Sequence, residues 1–293
     1  MFSNAYKLAC EYTRPVVVST RRFDGRVEAQ VGAYVVLNRD GWVATAAHLF
    51  EAASVHASNS KDMADHRGLI EAIEMDPRLS SEQRRRKKKK LRGNPDWVQN
   101  FSMWWGQDSL TLEDVRLVPN LDLAVGRLEP FDPSSVSAYP ILKDPTALDP
   151  GTSLCKLGYP FHSISATFDE SANSFVFGAG ALPIPRFPID GIFTRNIELG
   201  PVPGVSFSLQ WIETSSPGLR GQSGGPIFDV QGTVWGIQVK TIHLDLGFAP
   251  TLDKGAGKSV VENQFLNVGV GVHPVSLSGF LTQLGIQFQL SPY

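Results

Sequence analysis

The stretch Gly221-Gln222-Ser223-Gly224-Gly225-Pro226 constrains this 293-residue chain more than any other. It sets one serine in a turn so rich in glycine that backbone N–H groups can converge on a point beside the hydroxyl. A serine hydroxyl is a weak nucleophile until a neighbouring base removes its proton, so such a turn calls for a histidine and a carboxylate elsewhere. Both are present. Thr45-Ala46-Ala47-His48 ends a strand-like run, and Asn120-Leu121-Asp122-Leu123-Ala124-Val125 carries a lone acid inside an apolar segment. His48, Asp122 and Ser223 are therefore the candidate catalytic residues.

Two readings of the serine motif compete. Gly221-Gln222-Ser223-Gly224-Gly225 also fits G-x-S-x-G, the nucleophile elbow of the α/β-hydrolases, which must pass from a strand into a helix with its acid and histidine following the serine. After Ser223 comes Gly-Gly-Pro and then Ile227 to Val239, two short strands about a glycine-containing turn. His243 and His273 follow the serine, but neither stands in a catalytic motif. The order TAAH, DLAV, GQSGGP instead resembles the trypsin/chymotrypsin-like serine proteases, closest in style to bacterial intracellular members, over most of the chain. In the Ser-His-Asp template the intervals are about 45 and about 93 residues. Here they are 74 and 101, so an insertion is expected between His48 and Asp122.

The resemblance implies an all-β fold of two six-stranded antiparallel barrels of the chymotrypsin type, with a helical insertion and a C-terminal helix. Glycine and proline are plentiful and the strand-like runs are short, which agrees with a mostly β reading. In the first half, residues 1–128, strands are expected at Pro15–Ser19, Arg26–Gln30, Val31–Asn38, Trp42–Ala46, Leu110–Val118 and Leu121–Leu128. Residues 129–138 read as a linker by their proline and serine content. The second half, 139–293, is expected to place strands at Ser153–Gly158, Ser174–Phe177, Gly191–Leu199, Ser206–Thr214, the hairpin after Ser223, and Gln264–Val272. Leu277, Phe280, Leu281 and Leu284 share one face of a terminal helix.

The insertion, at about 57–108, has its own character. Lys61–Met75 shows helical spacing, Asp76-Pro77 interrupts it, and Ser80-Ser81-Glu82 offers a second helix start. Seven adjacent cations, Arg84 to Lys90, follow; they repel one another and read first as a solvated segment, then as a site for an acidic partner or regulator in preference to nucleic acid. Trp97, Phe101, Trp104 and Trp105 would share a helical face if a helix began at Pro95. Packing that face on the first barrel is preferred to docking.

The resemblance assigns the oxyanion donors to the backbone N–H groups of Gly221 and Ser223. It places Pro217 where trypsin-like enzymes hold an acid at the base of the pocket for the residue before the scissile bond (P1), which argues against Lys or Arg there. Val239-Lys240-Thr241 is expected to run along the substrate backbone, with Gln238, Thr241, Gly269 and Gly271 bordering that pocket. Gln222 stands where many secreted members carry an aspartate that pairs with a new N-terminus, so a preformed or partner-activated site is expected. Protein or peptide is the implied substrate, and neither cofactor nor metal is called for.

Net charge is −2, which gives no global bias toward nucleic acid or membrane. Only Cys10 and Cys155 occur, fewer than an oxidising compartment favours. With no secretory pattern in the opening residues and no apolar run of membrane-spanning length, the expected location is cytoplasmic. The expectation is a Ser-His-Asp endopeptidase acting through an acyl-enzyme. The alternatives are a binding or sensing module on a protease fold, or an esterase-type serine hydrolase.

Overall fold

The computed structural model describes residues 1–146, 148–253 and 259–292. An opening helix, α1 (Ser3–Tyr12), turns Ala5, Ala9 and Tyr12 inward at helical spacing. It leads into β1 (Thr13–Arg22) and β2 (Val27–Val36), whose valine-rich centres are buried. The tight turn at Asp24-Gly25 joins them, so what the sequence divides at residues 30 and 31 is one continuous strand. The sheet continues through β3 (Trp42–Ala46), then β4 (Val98–Trp104), β5 (Thr111–Val118) and β6 (Leu123–Glu129). The six strands run antiparallel in the order β4-β1-β2-β3-β6-β5 and curl about a core that includes Val16, Val35, Val43, Leu121 and Val125.

Between β3 and β4 lie the two inserted helices, α2 (Glu51–Met75) and α3 (Ser81–Lys90). α3 begins with a capping box: Gln83 N–H donates to Ser80 Oγ at 3.3 Å and Ser80 N–H donates to Gln83 Oε1 at 2.9 Å. Its four C-terminal lysines lie where the helix dipole favours positive charge. Neither helix buries a residue fully.

The aromatic run beyond them departs from expectation. Residues 98–104 are not helical; they form β4, hydrogen-bonded to β1 with Val17 opposite Trp104 and Thr20 opposite Phe101. The helical insertion accordingly spans residues 51–90 rather than about 57–108. The aromatic spacing also satisfies strand alternation, for Phe101, Met103 and Trp105 all pack on the first core while Trp104 joins a second cluster. Backbone pairing to an otherwise open β1 edge decides between the two periods.

In the second half the strands are β7 (Ile141–Leu142), β8 (Ser153–Gly158), β9 (Ala166–Asp169), β10 (Ser174–Phe177), β11 (Phe187–Glu198), β12 (Gln210–Thr214), β13 (Pro226–Phe228), β14 (Val234–Asp245), β15 (Thr251–Asp253), β16 (Ser259–Val261), β17 (Phe265–Val272) and β18 (Gln289–Leu290), with α4 (Pro274–Gln283) before the last. The run β13-β8-β11-β12-β17-β14 closes on itself because β14 also pairs with β13, giving a second six-stranded antiparallel barrel. Ser174–Phe177 lies outside it, in a hairpin with β9. α4 buries Leu277, Phe280 and Leu281 against the barrel. The two curled sheets, the helical insertion and the C-terminal helix make a chymotrypsin-type double barrel.

Hydrogen bonds stitch the halves where the candidate residues meet. Ala33 N–H donates to Ser223 O at 2.8 Å, Tyr159 Oη–H to Thr13 O at 3.0 Å, and Trp211 Nε1–H to Leu121 O at 3.2 Å. No helix among the described residues is long and apolar enough to cross a membrane.

Candidate active site

The carboxylate and imidazole are set by adjacent strand ends. β3 and β6 are paired with Ala46 opposite Leu123, which brings the residue after β3 and the residue before β6 side by side. Asp122 holds a left-handed backbone, φ 57° and ψ 38°, a conformation that Asp tolerates better than most residues. Its carbonyl accepts from Ala47 N–H at 2.9 Å. Its carboxylate is gripped twice by His48: the backbone N–H donates to Oδ1 and the ring Nδ1–H to Oδ2, both at 2.7 Å. A carboxylate can only accept here, so the proton sits on Nδ1 and leaves Nε2 as a base.

Ser223 comes from the turn before β13. Its carbonyl is held by Ala33 N–H, and Gly224 N–H donates to Gln238 O at 2.7 Å. Gly221 has φ +94°, and a Cβ there would approach Tyr159 O to 2.4 Å, so only glycine fits this bend. Among the described residues, neither Gly221 N–H nor Ser223 N–H is committed to an internal acceptor, although Gln222 N–H between them and Gly224 N–H and Gly225 N–H after them are. Two backbone donors at and just before the serine thus remain without internal acceptors, as an oxyanion site requires. Gln222 is fully buried; its Oε1 accepts from Leu219 N–H at 3.0 Å and its Nε2 donates to Phe187 O at 3.3 Å. The turn therefore needs no charged partner to hold its shape.

His48, Gly221 and Ser223 line one cleft of about 910 Å³ between the barrels. The other expected binding residues do not line it. Gln238 and Val239 are buried, and Pro217, Lys240 and Thr241 are half-buried. Gly269 and Gly271 lie on β17 opposite Thr241 and Gln238 of β14. Lys240 rests its ammonium 3.4 Å from the centre of the Trp211 ring, a cation–π contact; burial lowers its pKa, opposed by the nearby Asp122 charge.

Two buried residues behind this arrangement carry roles that motif reading does not assign. Thr45 is fully buried and its Oγ1–H donates to Ala33 O at 2.6 Å, tying β3 to the β2 residue that holds Ser223. Lys156, only 1 % exposed, sends its ammonium to Thr214 Oγ1, Ser216 O and Pro217 O. Burial pulls its pKa down to about 7, while those three acceptors favour the charged form. The sequence signal for Lys156 is a single cation inside the apolar run Ser153–Gly158. Among the described residues, no group of His, Cys, Asp and Glu has the arrangement to hold a metal ion.

The sequence matches the family model described as a trypsin-like peptidase domain over residues 32–237. No curated protein matches. Solved structures with a similar course include the active form of the Rv3671c protease from M. tuberculosis, at 15% identity and TM-score 0.45, covering 98% of this chain and 88% of that one. The HtrA-type protease AlgW with a tripeptide is similar at 15% identity and TM-score 0.48, covering 98% of this chain and 64% of that one. AlgWS227A with a decapeptide gives 12% identity and TM-score 0.49, covering 97% and 68%.

Proposed function

This chain belongs to the trypsin-like peptidase family and is a serine peptidase, and on that premise we propose that His48, Asp122 and Ser223 are its catalytic triad. The observation that carries the proposal is the double grip of His48 on Asp122, which fixes the tautomer whose Nε2 can accept a proton. Ser223 Oγ attacks the peptide carbonyl as His48 Nε2 takes its proton, and the oxyanion forms between Gly221 N–H and Ser223 N–H. The imidazolium then protonates the leaving amine. Water, deprotonated by the same nitrogen, hydrolyses the acyl-enzyme. Hydrogen bonding between serine and imidazole commonly tightens only when substrate is bound.

The esterase-type alternative requires a strand-to-helix elbow, whereas Ser223 leads into the β13–β14 hairpin. A pure binding module would have no use for two uncommitted donors beside an unencumbered serine. An intracellular setting is supported by Cys10 and Cys155, both free thiols. Regulation by an acidic partner is supported by α3, whose cations include one paired member, Lys88 with Glu74 at 2.6 Å. α2 begins three residues after His48, so that surface is continuous in chain with the base.

The test is labelling by a fluorophosphonate probe, with intact mass locating the adduct. Wild type is expected to be labelled once, at Ser223, and Ser223→Ala not at all. An unlabelled, well-folded wild type would overturn the triad proposal.

A further inference from the structure

None of the residues expected to border the P1 pocket lines the cleft beside Ser223, and the structure treats the two regions differently. On the β14 side, Gln238 is 1 % exposed and donates through Nε2 to Lys240 O at 2.8 Å and Val270 O at 3.2 Å. Its amide fills the space beside Gly218, where a Cβ would come within 2.1 Å of Nε2. Thr241 Oγ1–H donates to Gly218 O at 2.6 Å, bridging the two segments that would flank a P1 side chain. Beneath them the Lys156 ammonium ties down Ser216 O and Pro217 O. These contacts narrow the space for a P1 side chain, and the Gln238 Oε1 beside them is buried without a partner.

On the other side the cleft is open. Its walls are β1, the Glu28–Val31 stretch of β2 and the first turns of α2, together with the segment after β8. Val18, Val31, Val55, Val98 and Ile164 give it apolar lining between the polar Gln30, Glu51, His162 and Arg220, and Arg22 and Glu28 in the same lining pair at 3.1 Å. His48, which must reach the leaving amine, lies in this cleft, so the chain beyond the scissile bond enters here. The helical insertion therefore does more than interrupt the barrel: Glu51, Ala52 and Val55 of α2 are part of the wall.

We infer that this peptidase selects its substrates on the leaving-group side, seating a large apolar side chain in the cleft between β2 and the start of α2 while admitting only a small residue before the scissile bond. The inference rests on the peptidase reading and deepens it. Removing a Leu or Phe side chain from water into such a wall is worth about tenfold or more in affinity. Ordered polar atoms on the other side have no such contact to offer.

Binding and cleavage separate the two readings. The Ser223→Ala protein is titrated with fluorescein-Gly-Ala-Phe-Leu-amide and with fluorescein-Gly-Ala-Ser-Ser-amide, following polarisation. The first is expected to bind at least about tenfold more tightly, and Val55→Glu, an exposed helix position, is expected to erase the difference. Equal binding of the two peptides, or a difference unaffected by Val55→Glu, overturns the inference. Wild type digesting a peptide library is expected to cut after Gly, Ala or Ser with an apolar residue following; cuts selected by a large residue before the bond overturn it as well. Selective binding without any cleavage would sink the peptidase mechanism at Ser223 and leave the apolar seat standing.

Discussion

Asp122 performs two tasks at one residue, closing the β3–β6 junction through its carbonyl and orienting the imidazole through its carboxylate. Asp122→Asn keeps the shape but presents an amide to Nδ1, which favours the wrong tautomer; turnover is expected to fall about 10⁴-fold with little loss of stability, read from kcat on a cleaved peptide and a thermal melt. Gln222→Asp tests the neutral turn. A carboxylate there would be buried facing Phe187 O, and among the described residues no cationic side chain bonds to Gln222, so stability is expected to drop by about 3 kcal/mol or more in urea unfolding. His273 supplies a pH signature. It is 3 % exposed, caps α4 by accepting from Val275 N–H at 3.0 Å through Nδ1, and leaves Nε2 without a partner. Burial lowers its pKa from the ordinary 6.5 to about 4, so the unfolded chain binds the proton more readily between those values. Its contribution is whole above about pH 6.5 and is lost as pH falls toward 4, by up to about 3 kcal/mol. His273→Asn, which retains a capping oxygen, is expected to flatten that part of the pH–stability curve. The candidate triad was legible because short words carry it. Lys156 was not, and Gln238 was read only as a border of the P1 pocket, since their meaning lies in which buried carbonyls they meet.

Elements were legible where one period dominates. The α3 start at Ser80 and the hairpin after Ser223 follow local rules, a capping box and a turn closed by Gly232 at φ +86°. The segment 97–105 was ambiguous, because aromatics at helical spacing can also alternate across a strand, and only the availability of β1 resolves it. α1 went unread: small residues at Ala5 and Ala9 give a weak apolar signal until a partner surface is known. The corrected boundary makes a sharp deletion experiment. Replacing residues 61–90 with a short Gly-Ser linker removes helix that buries no residue, and a cooperative melt within a few degrees of wild type is expected. Extending the deletion to 108 removes β4 and is expected to abolish the folded near-ultraviolet circular dichroism signal. If α3 serves an acidic partner, binding of a poly-glutamate probe is expected to disappear with the shorter deletion and to weaken steeply between 50 and 200 mM salt, roughly the range in which the Debye length falls below 10 Å.

At the scale of the whole molecule, two six-stranded sheets share one continuous core that runs from Val16 and Tyr34 through Leu157 to Val272. The double barrel was readable as an expectation because the motif order places the His48 and Asp122 segments before, and the Ser223 segment after, a proline- and serine-rich break. How the ends are used was not readable. α1 precedes the first barrel yet packs on the second: Phe2 meets Phe228 edge-on at 6.2 Å, and Leu8 covers Gly232. After α4 the chain returns the favour, with Gln287 O accepting from Asn38 Nδ2–H at 2.9 Å on the first barrel. Each half is thus fastened by a segment that belongs, in chain order, to the other. Opening either barrel unseats a strap of its neighbour, so denaturation is expected to pass through no intermediate with one half intact. Thermal unfolding followed at Trp105 and at Trp235 is expected to give a single shared midpoint, and two separately expressed halves would each lack a piece of their own wall.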